Sequence, residues 1–491
     1  MLNHAIISAA LALATLPFAV QGAQLTARNQ DPICAWIERA ISSASNVYYP
    51  GDTLYNKGVA HWATTANQVS KCVVEPGTAA DVGTVLRIVG GTRTPFAVKG
   101  AGHSPNPKFA STTGVHISMY RFNNVTYDAD AQTAEIGTGL VWDNVYDALA
   151  PHGVNIVGGR VPGVGVAGFT LGGGYSWKTN QFGLTIDTLV AFELVRPDGK
   201  VVKVTHESDP QLFMGLKGGF NNFGIVTKFT LKTHPQSEVW GGPTQIGADH
   251  IDEVTDATVE WDATATDPKA QVMTTYTYAR GELDITLFLF YDGPTPPAGM
   301  FDRFLAIPNH GSDVKTRPFA DMVQSTPTAA SYGFRGIFNA FSVLDTTRSL
   351  VDVIINETQY WGQQLSAKTG IITTYAVEPF LRSMYSHNTE QTAFPPTRSI
   401  PFLPFNIYYA WLNSTYDEEF YNAARVSTKV ITDAAVAEGQ RAAAEAPLYP
   451  NNAIFDTPIS KVYGDNLPAL RAVKRRVDPA NVMGLAGGWK V

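Results

Sequence analysis

The chain is 491 residues long, 44% hydrophobic and 16% charged, with a formal net charge of −7. This length and composition predict two or three packed domains and exclude a disordered chain. The acidic balance, in which Lys474-Arg475-Arg476 is the densest cationic run, excludes nucleic acid and anionic membrane surfaces as partners.

From the N-terminus, the apolar run Ala5 to Leu16, the break at Pro17 and the small residues around Gly22 predict a secretory signal peptide over residues 1–22. No later stretch reaches the roughly 18 apolar residues of a membrane span, so a secreted protein without an anchor is expected. The sequons at Asn124, Asn356 and Asn413 suit a glycoprotein. Cys34 and Cys72, the only cysteines, suit one disulfide, with two unpaired buried thiols as the alternative.

Pro32 to Ser45 reads as a helix and Cys72 to Glu75 as a short strand ended by Pro76. Thr78 then caps a helix over Ala79 to Gly90, whose Val82, Val85, Leu86 and Val89 share one face, and Phe96 to Lys99 follows as a buried strand. The glycine turn Gly100-Ala101-Gly102-His103-Ser104 therefore sits at a strand's C-terminal end. Further strands are predicted at Val115 to Met119, Val125 to Tyr127, Ala134 to Ile136, Leu189 to Val195, Val201 to Val204 and Gly224 to Thr233, with a helix at Trp142 to Ala150. Beyond His234-Pro235 the glycine density falls. Aromatic-rich strands (Val272 to Tyr278, Ile285 to Tyr291, Ile371 to Val377, Phe405 to Leu412) and a helix over Tyr416 to Glu438 mark a second domain, 237–440. A last helix, Tyr463 to Val477, falls in a segment 441–491 expected to return to a first domain over 23–236, whose core begins near 67.

Within that first domain lies Gly158 to Gly174, GGRVPGVGVAGFTLGGG, with eight glycines in seventeen residues. Such a run lets backbone N–H groups approach a bulky anionic ligand, and together with the loop at Gly100 it points to a cofactor cradle. Its Gly163-Val164-Gly165-Val166-Ala167-Gly168 matches the dinucleotide fingerprint, with Asp187 about twenty residues on. The context excludes that use. Pro162 stands where a buried strand should end, and Gly172, Gly173 and Gly174 stop any helix within a turn, each costing about 1 kcal/mol against alanine.

In this order, the loop at Gly100 to Ser104, the run from Gly158, GGFNNFGIV from Gly218 and RAVKRRVDPAN from Arg471 form a specific set. With them the chain resembles the berberine-bridge-enzyme-like flavoproteins of the vanillyl-alcohol-oxidase superfamily. The resemblance implies an α+β fold with a two-part FAD-binding domain, and a substrate domain whose antiparallel sheet is covered by helices. It implies FAD bonded through His103, with the pyrophosphate held by Gly100, Ala101, Gly102 and Ser104 and assisted by Lys99. It further places Gly159, Val161, Val164, Gly165, Gly168, Gly172, Gly173, Gly174, Gly224, Ile225, Val226 and Asn451 at the cofactor. Where many relatives have a cysteine that makes a second flavin bond, this chain has Val161, so attachment through His103 only is expected. Val164 falls at the family's oxygen gate, where valine accompanies oxidases. Ala101 replaces a glycine.

The resemblance also points to a Y-x-N-Y strand carrying a catalytic tyrosine. Here it reads Tyr449-Pro450-Asn451-Asn452, which keeps Tyr449 but puts Asn452, which cannot act as a base, at the second position. Tyr375, Glu378, Tyr408, Tyr409 and Trp411 are assigned to predicted second-domain strands whose alternate side chains could face the flavin, with core packing as the alternative for each aromatic. The 11% aromatic content and the cluster Phe402, Phe405 and Tyr408 favour a small apolar or aromatic metabolite over a sugar. The expected activity is an oxidase that passes a hydride from an alcohol, amine or related C–H to flavin N5, with O2 as acceptor and H2O2 as product. The alternatives are a dehydrogenase using another acceptor, a flavoprotein templating a cyclisation, and a carbohydrate oxidase. The absence of zinc, nucleophile-elbow and P-loop motifs excludes the corresponding hydrolases, and no metal is expected.

Overall fold

Cys34 and Cys72 are joined in a disulfide in the computed structural model, which describes residues 30–326 and 331–491. The predicted leader, 1–22, lies outside the described residues. The bridge ties the helix Pro32–Ala40 to the second strand of a four-stranded sheet. That helix stops five residues short of the expected Ser45. The hydroxyls of Ser42 and Ser45 donate to the Asp81 carboxylate (2.6 and 2.7 Å), and side chains so engaged draw the chain out of helical geometry.

The first sheet contains β1 (Asn46–Tyr48), β2 (Cys72–Glu75), β3 (Phe96–Lys99) and β4 (Val115–Ser118) in the order β1-β2-β4-β3. β4 runs parallel to both β2 and β3. The crossover from β2 is the helix Ala79–Gly91, capped where Thr78 Oγ1 accepts from the Asp81 N–H (3.1 Å), and Val82, Val85, Leu86 and Val89 bury its inner face. A second, antiparallel sheet is built from β5 (Val125–Asp128), β6 (Thr133–Gly137), β8 (Leu189–Val195), β9 (Val201–Val204) and β10 (Ile225–Lys232), in the order β5-β6-β10-β8-β9. β7 (Val154–Asn155) and β11 (His234–Pro235) form a small separate pair.

The third sheet is antiparallel and eight-stranded. It comprises β12 (Val239–Gly247), β13 (Ala270–Ala279), β14 (Glu282–Tyr291), β15 (Gly311–Ser312), β16 (Lys315–Arg317), β17 (Arg335–Val343), β18 (Gly370–Val377) and β19 (Leu403–Trp411). Its main order is β15-β12-β14-β13-β18-β19-β17, with β16 beside β12. The helices Ile251–Thr264, Arg348–Ser366 and Asp417–Ala437 pack on one face of it. The chain thus has the α+β architecture expected, with helices covering one large antiparallel sheet.

Three further elements differ from the sequence expectation. Tyr463 to Val477 is not one helix: Gly464 and Pro468 divide it into Ile459–Tyr463 and Leu467–Val477. The strands β12 and β17 are not among the expected ones; β12 carries Gly241, Gly242 and Pro243, residues disfavoured in strands, and tertiary pairing overrides that local preference. After the last helix, Ala486 forms a parallel bridge with Phe96 of β3. Among the described residues no helix is long and apolar enough to cross a membrane.

Candidate active site

At the end of β3 the chain turns through Gly100–Ser104 onto the wall of a cavity of about 620 Å3. Gly102 has φ +75°, a conformation that glycine adopts without the steric penalty of a Cβ. Opposite these residues, Val161, Val164, Gly165 and Gly168 of the glycine run line the same cavity, as do Gly224, Ile225 and Val226 at the start of β10. A Cβ on Gly165 would stand 2.8 Å from Ala101 Cβ, so the two loops abut with no side chain between them. Tyr449, Asn451 and Asn452 complete this part of the wall.

Five of the residues expected at the cofactor stand off the wall. Lys99, at the inward end of β3, is fully buried and donates from Nζ to the carbonyls of Lys57, Gly58 and Ala60 (3.2, 2.7 and 2.7 Å). Those carbonyls engage its three N–H bonds, so it fastens the neighbouring segment and does not reach a phosphate; burial pushes its amine down to about 7. Gly159 packs on Trp142 and its carbonyl accepts from Tyr146 Oη (2.7 Å). Gly172, Gly173 and Gly174 form a second layer behind the cavity, against Asn451, Phe394 and Thr185.

His103 opens onto the cavity, and its ring lies parallel to Trp62 at 4.5 Å and 8°. Its Nε2 is buried with no hydrogen-bond partner among the described residues, and burial lowers its pKa to about 4, so the ring is neutral at physiological pH. Tyr449 Oη accepts from Asn451 Nδ2 (2.8 Å), and burial pushes this phenol up to about 12. A phenol so displaced stays protonated at neutral pH.

The bare face of the large sheet forms the other side of the cavity. Strand alternation brings Met273, Thr275 and Thr277 of β13, Thr374 and Ala376 of β18, and Asn406 and Tyr408 of β19 onto it. The same alternation sends Tyr375 and Tyr409 the other way, where their hydroxyls meet at 2.6 Å and Tyr375 reaches Ser427 of the covering helix. Trp411 also faces the helices, stacked on Phe420 at 4.3 Å. Phe402 and Phe405, part of the expected aromatic cluster, are buried off the wall. Glu378 follows β18 and is the only carboxylate on the wall among the described residues. Its Oε1 accepts from Asn406 Nδ2 (2.9 Å) and its Oε2 pairs with Arg160 Nη1 (2.5 Å). Arg160 comes from the glycine run, so this ion pair joins the two sides of the cavity.

Residues 70–205 match the family described as "FAD binding domain". An uncharacterised FAD-linked oxidoreductase of Arthroderma benhamiae is 32% identical over 438 residues, covering 85% of this chain and 86% of that one. The chain belongs to the FAD-linked oxidoreductases. The FAD-dependent monooxygenase drtC of Aspergillus calidoustus is 28% identical over 478 residues, covering 93% and 90%. Among solved structures, BBE-like 1 of Physcomitrella patens superposes with a TM-score of 0.74 at 19% identity, over 92% of this chain and 97% of that one, which shows the berberine-bridge-enzyme-like fold.

The cavity of this FAD-linked oxidoreductase suits its cofactor. Two abutting loops offer backbone without side chains, and the buried, partnerless His103 nitrogen stands beside them. Gly100, Ala101, Gly102 and Ser104 could hold the pyrophosphate of such a cofactor, with Val161, Val164, Gly165, Gly168 and Gly224 to Val226 lining the rest of the cavity. Bound FAD supplies a two-electron acceptor that can be reoxidised by oxygen or another acceptor. Trp62 and Arg160 escaped the sequence reading as site residues. Arg160 lay within a quoted motif, but Trp62 has no local signal, because its role comes from stacking on a distant loop.

Proposed function

We propose that this FAD-linked oxidoreductase is an oxidase that takes two electrons from an alcohol, amine or related C–H of a small metabolite and passes them to O2, yielding H2O2. The observation that carries the proposal is Glu378, a carboxylate on the sheet wall facing the glycine loops and fixed by Arg160 and Asn406. Oxidation of an alcohol or amine carbon requires the O–H or N–H proton to leave as the hydride departs, and Glu378 accepts that proton. Tyr449 and Asn452 then orient the substrate and do not deprotonate it. Met273, Phe288, Phe338 and Ile372 give the cavity an apolar floor for a metabolite's body, while Thr275, Thr277, Thr286 and Thr374 offer hydroxyls to its polar end. Val164 on the loop wall leaves room for oxygen beside the flavin.

The cofactor is attached through His103 alone, since Val161 has no nucleophile. The two sides of the cavity correspond to an FAD-binding domain over 23–236 and a substrate domain over 237–440, with 441–491 returning to the first. The protein is secreted and glycosylated. Exposure of Asn124, Asn356 and Asn413 supports this, as does the Cys34–Cys72 bridge.

Peroxide release measured across alcohols, amines and sugars tests the oxidase assignment. Peroxide equal to the substrate consumed is expected. A flavin that substrate reduces but air does not reoxidise would make the protein a dehydrogenase, and labelled oxygen appearing in the product would make it a monooxygenase, as the Aspergillus relative is named. For the linkage, acid precipitation should leave the flavin on the wild-type pellet and release it from His103→Ala.

A further inference from the structure

We propose that Trp62 is the positioning residue for flavin attachment: its indole holds the His103 imidazole in the plane from which a ring nitrogen meets the cofactor. The inference rests on the His103 linkage proposed above. The two rings lie parallel at 4.5 Å and 8°. The imidazole torsion of histidine is broad and roughly two-fold, so an unsupported ring facing a cavity samples many orientations. A parallel indole removes that freedom and fixes the direction in which the ring nitrogens point.

Trp62 is itself held from several sides. Its backbone N–H donates to the Gly102 carbonyl (3.0 Å), one residue before His103, and its backbone carbonyl accepts from the Gly333 N–H (2.9 Å). The Thr64 N–H donates to the Phe334 carbonyl (2.8 Å), and Thr65 Oγ1 reaches the carbonyls of Pro105 and Gly336, at 2.9 Å each. Just upstream, the Lys99 ammonium gathers the carbonyls of Lys57, Gly58 and Ala60. The indole also meets the rings of Tyr408 and Phe338 at 5.2 and 6.1 Å. The strap 57–65 is therefore fixed at both ends, and Trp62 is its contact with the attachment site. Among the described residues His103 Nε2 has no competing partner, and burial keeps the ring neutral, so a lone pair is available.

In the linkage one C–H bond of the flavin 8α-methyl and the imidazole N–H break, and an N–C8α bond forms. The two hydrogens, with the two electrons released, pass to the isoalloxazine, and O2 reoxidises it to give H2O2. Trp62 takes no part in these bonds; it sets the angle at which the nitrogen approaches.

The test follows acid-stable flavin as a fraction of total bound flavin while purified full-length protein is incubated with excess FAD in air. Wild type is compared with Trp62→Leu, Trp62→Met and Trp62→Phe. The Leu and Met variants should convert the FAD they bind to the acid-stable form about three- to tenfold more slowly than wild type, the range set by loss of one aromatic stack. Trp62→Phe should restore most of the rate. Wild-type conversion rates in the Leu and Met variants would overturn the proposal. So would parallel loss of reversible binding and conversion that Phe does not repair, which would reduce Trp62 to a fold support. Wild-type flavin that acid releases would instead refute the His103 linkage, an outcome separable from both.

Discussion

The chemistry of this protein concentrates on a few side chains whose surroundings decide their roles. Glu378 and Tyr449 share one cavity, but burial holds the phenol near 12, whereas the carboxylate is fixed by an arginine and an amide. Glu378→Gln should therefore lower the rate of flavin reduction by substrate about 10²- to 10⁴-fold, the usual contribution of a general base, with flavin content unchanged by absorbance. Val164→Leu should slow reoxidation in air while leaving reduction nearly as fast, as stopped-flow traces of the two half-reactions would show. His103 carries a pH consequence in the flavin-free protein. Its folded pKa of about 4 lies below the ordinary 6.5, so between these values the unfolded chain binds a proton that the folded chain refuses. Stability is intact above 6.5 and declines as pH falls toward 4. Burial lowers His61 and His234 in the same direction. Thermal melts of flavin-free protein should show Tm falling across that window, less steeply in His103→Asn.

Among the elements, the disulfide closes a separation of 38 residues and anchors the first helix to β2. Replacing both cysteines by serine should cost about 4 kcal/mol on the loop-entropy account, measurable as a lower denaturant midpoint. Element positions were largely legible in the sequence, because two-residue and helical periodicities are local properties: β3, β8 and β9 begin and end where their patterns do. The glycine loops were legible too, since a backbone ligand site requires residues without side chains. The facing of the third sheet was not. Alternation sets Tyr408 against Tyr375 and Tyr409, but which parity looks into the cavity depends on where the covering helices pack. For the same reason Lys99 looked like a phosphate ligand: the carbonyls that capture it come from the segment 57–60, about forty residues away in the chain and unmarked by any motif.

In the whole molecule, the cavity is assembled from segments far apart in sequence. Arg160 and Glu378 bridge its two sides, and the strap 57–65 ties the Gly102 loop to the entry of β17. The last part of the wall comes from Gly487, Gly488 and Trp489. Trp489 Nε1 donates to the Pro450 carbonyl (3.0 Å), and the Trp489 carbonyl accepts from Asn222 Nδ2 (2.9 Å). The Phe96–Ala486 bridge thus joins a strand made early in synthesis to a segment made only after every strand of the large sheet. Loading with cofactor is therefore expected after translation, dependent on the FAD present where folding finishes. Nascent chains stalled on the ribosome before residue 484 emerges should carry no flavin, whereas released full-length chains should fluoresce with it.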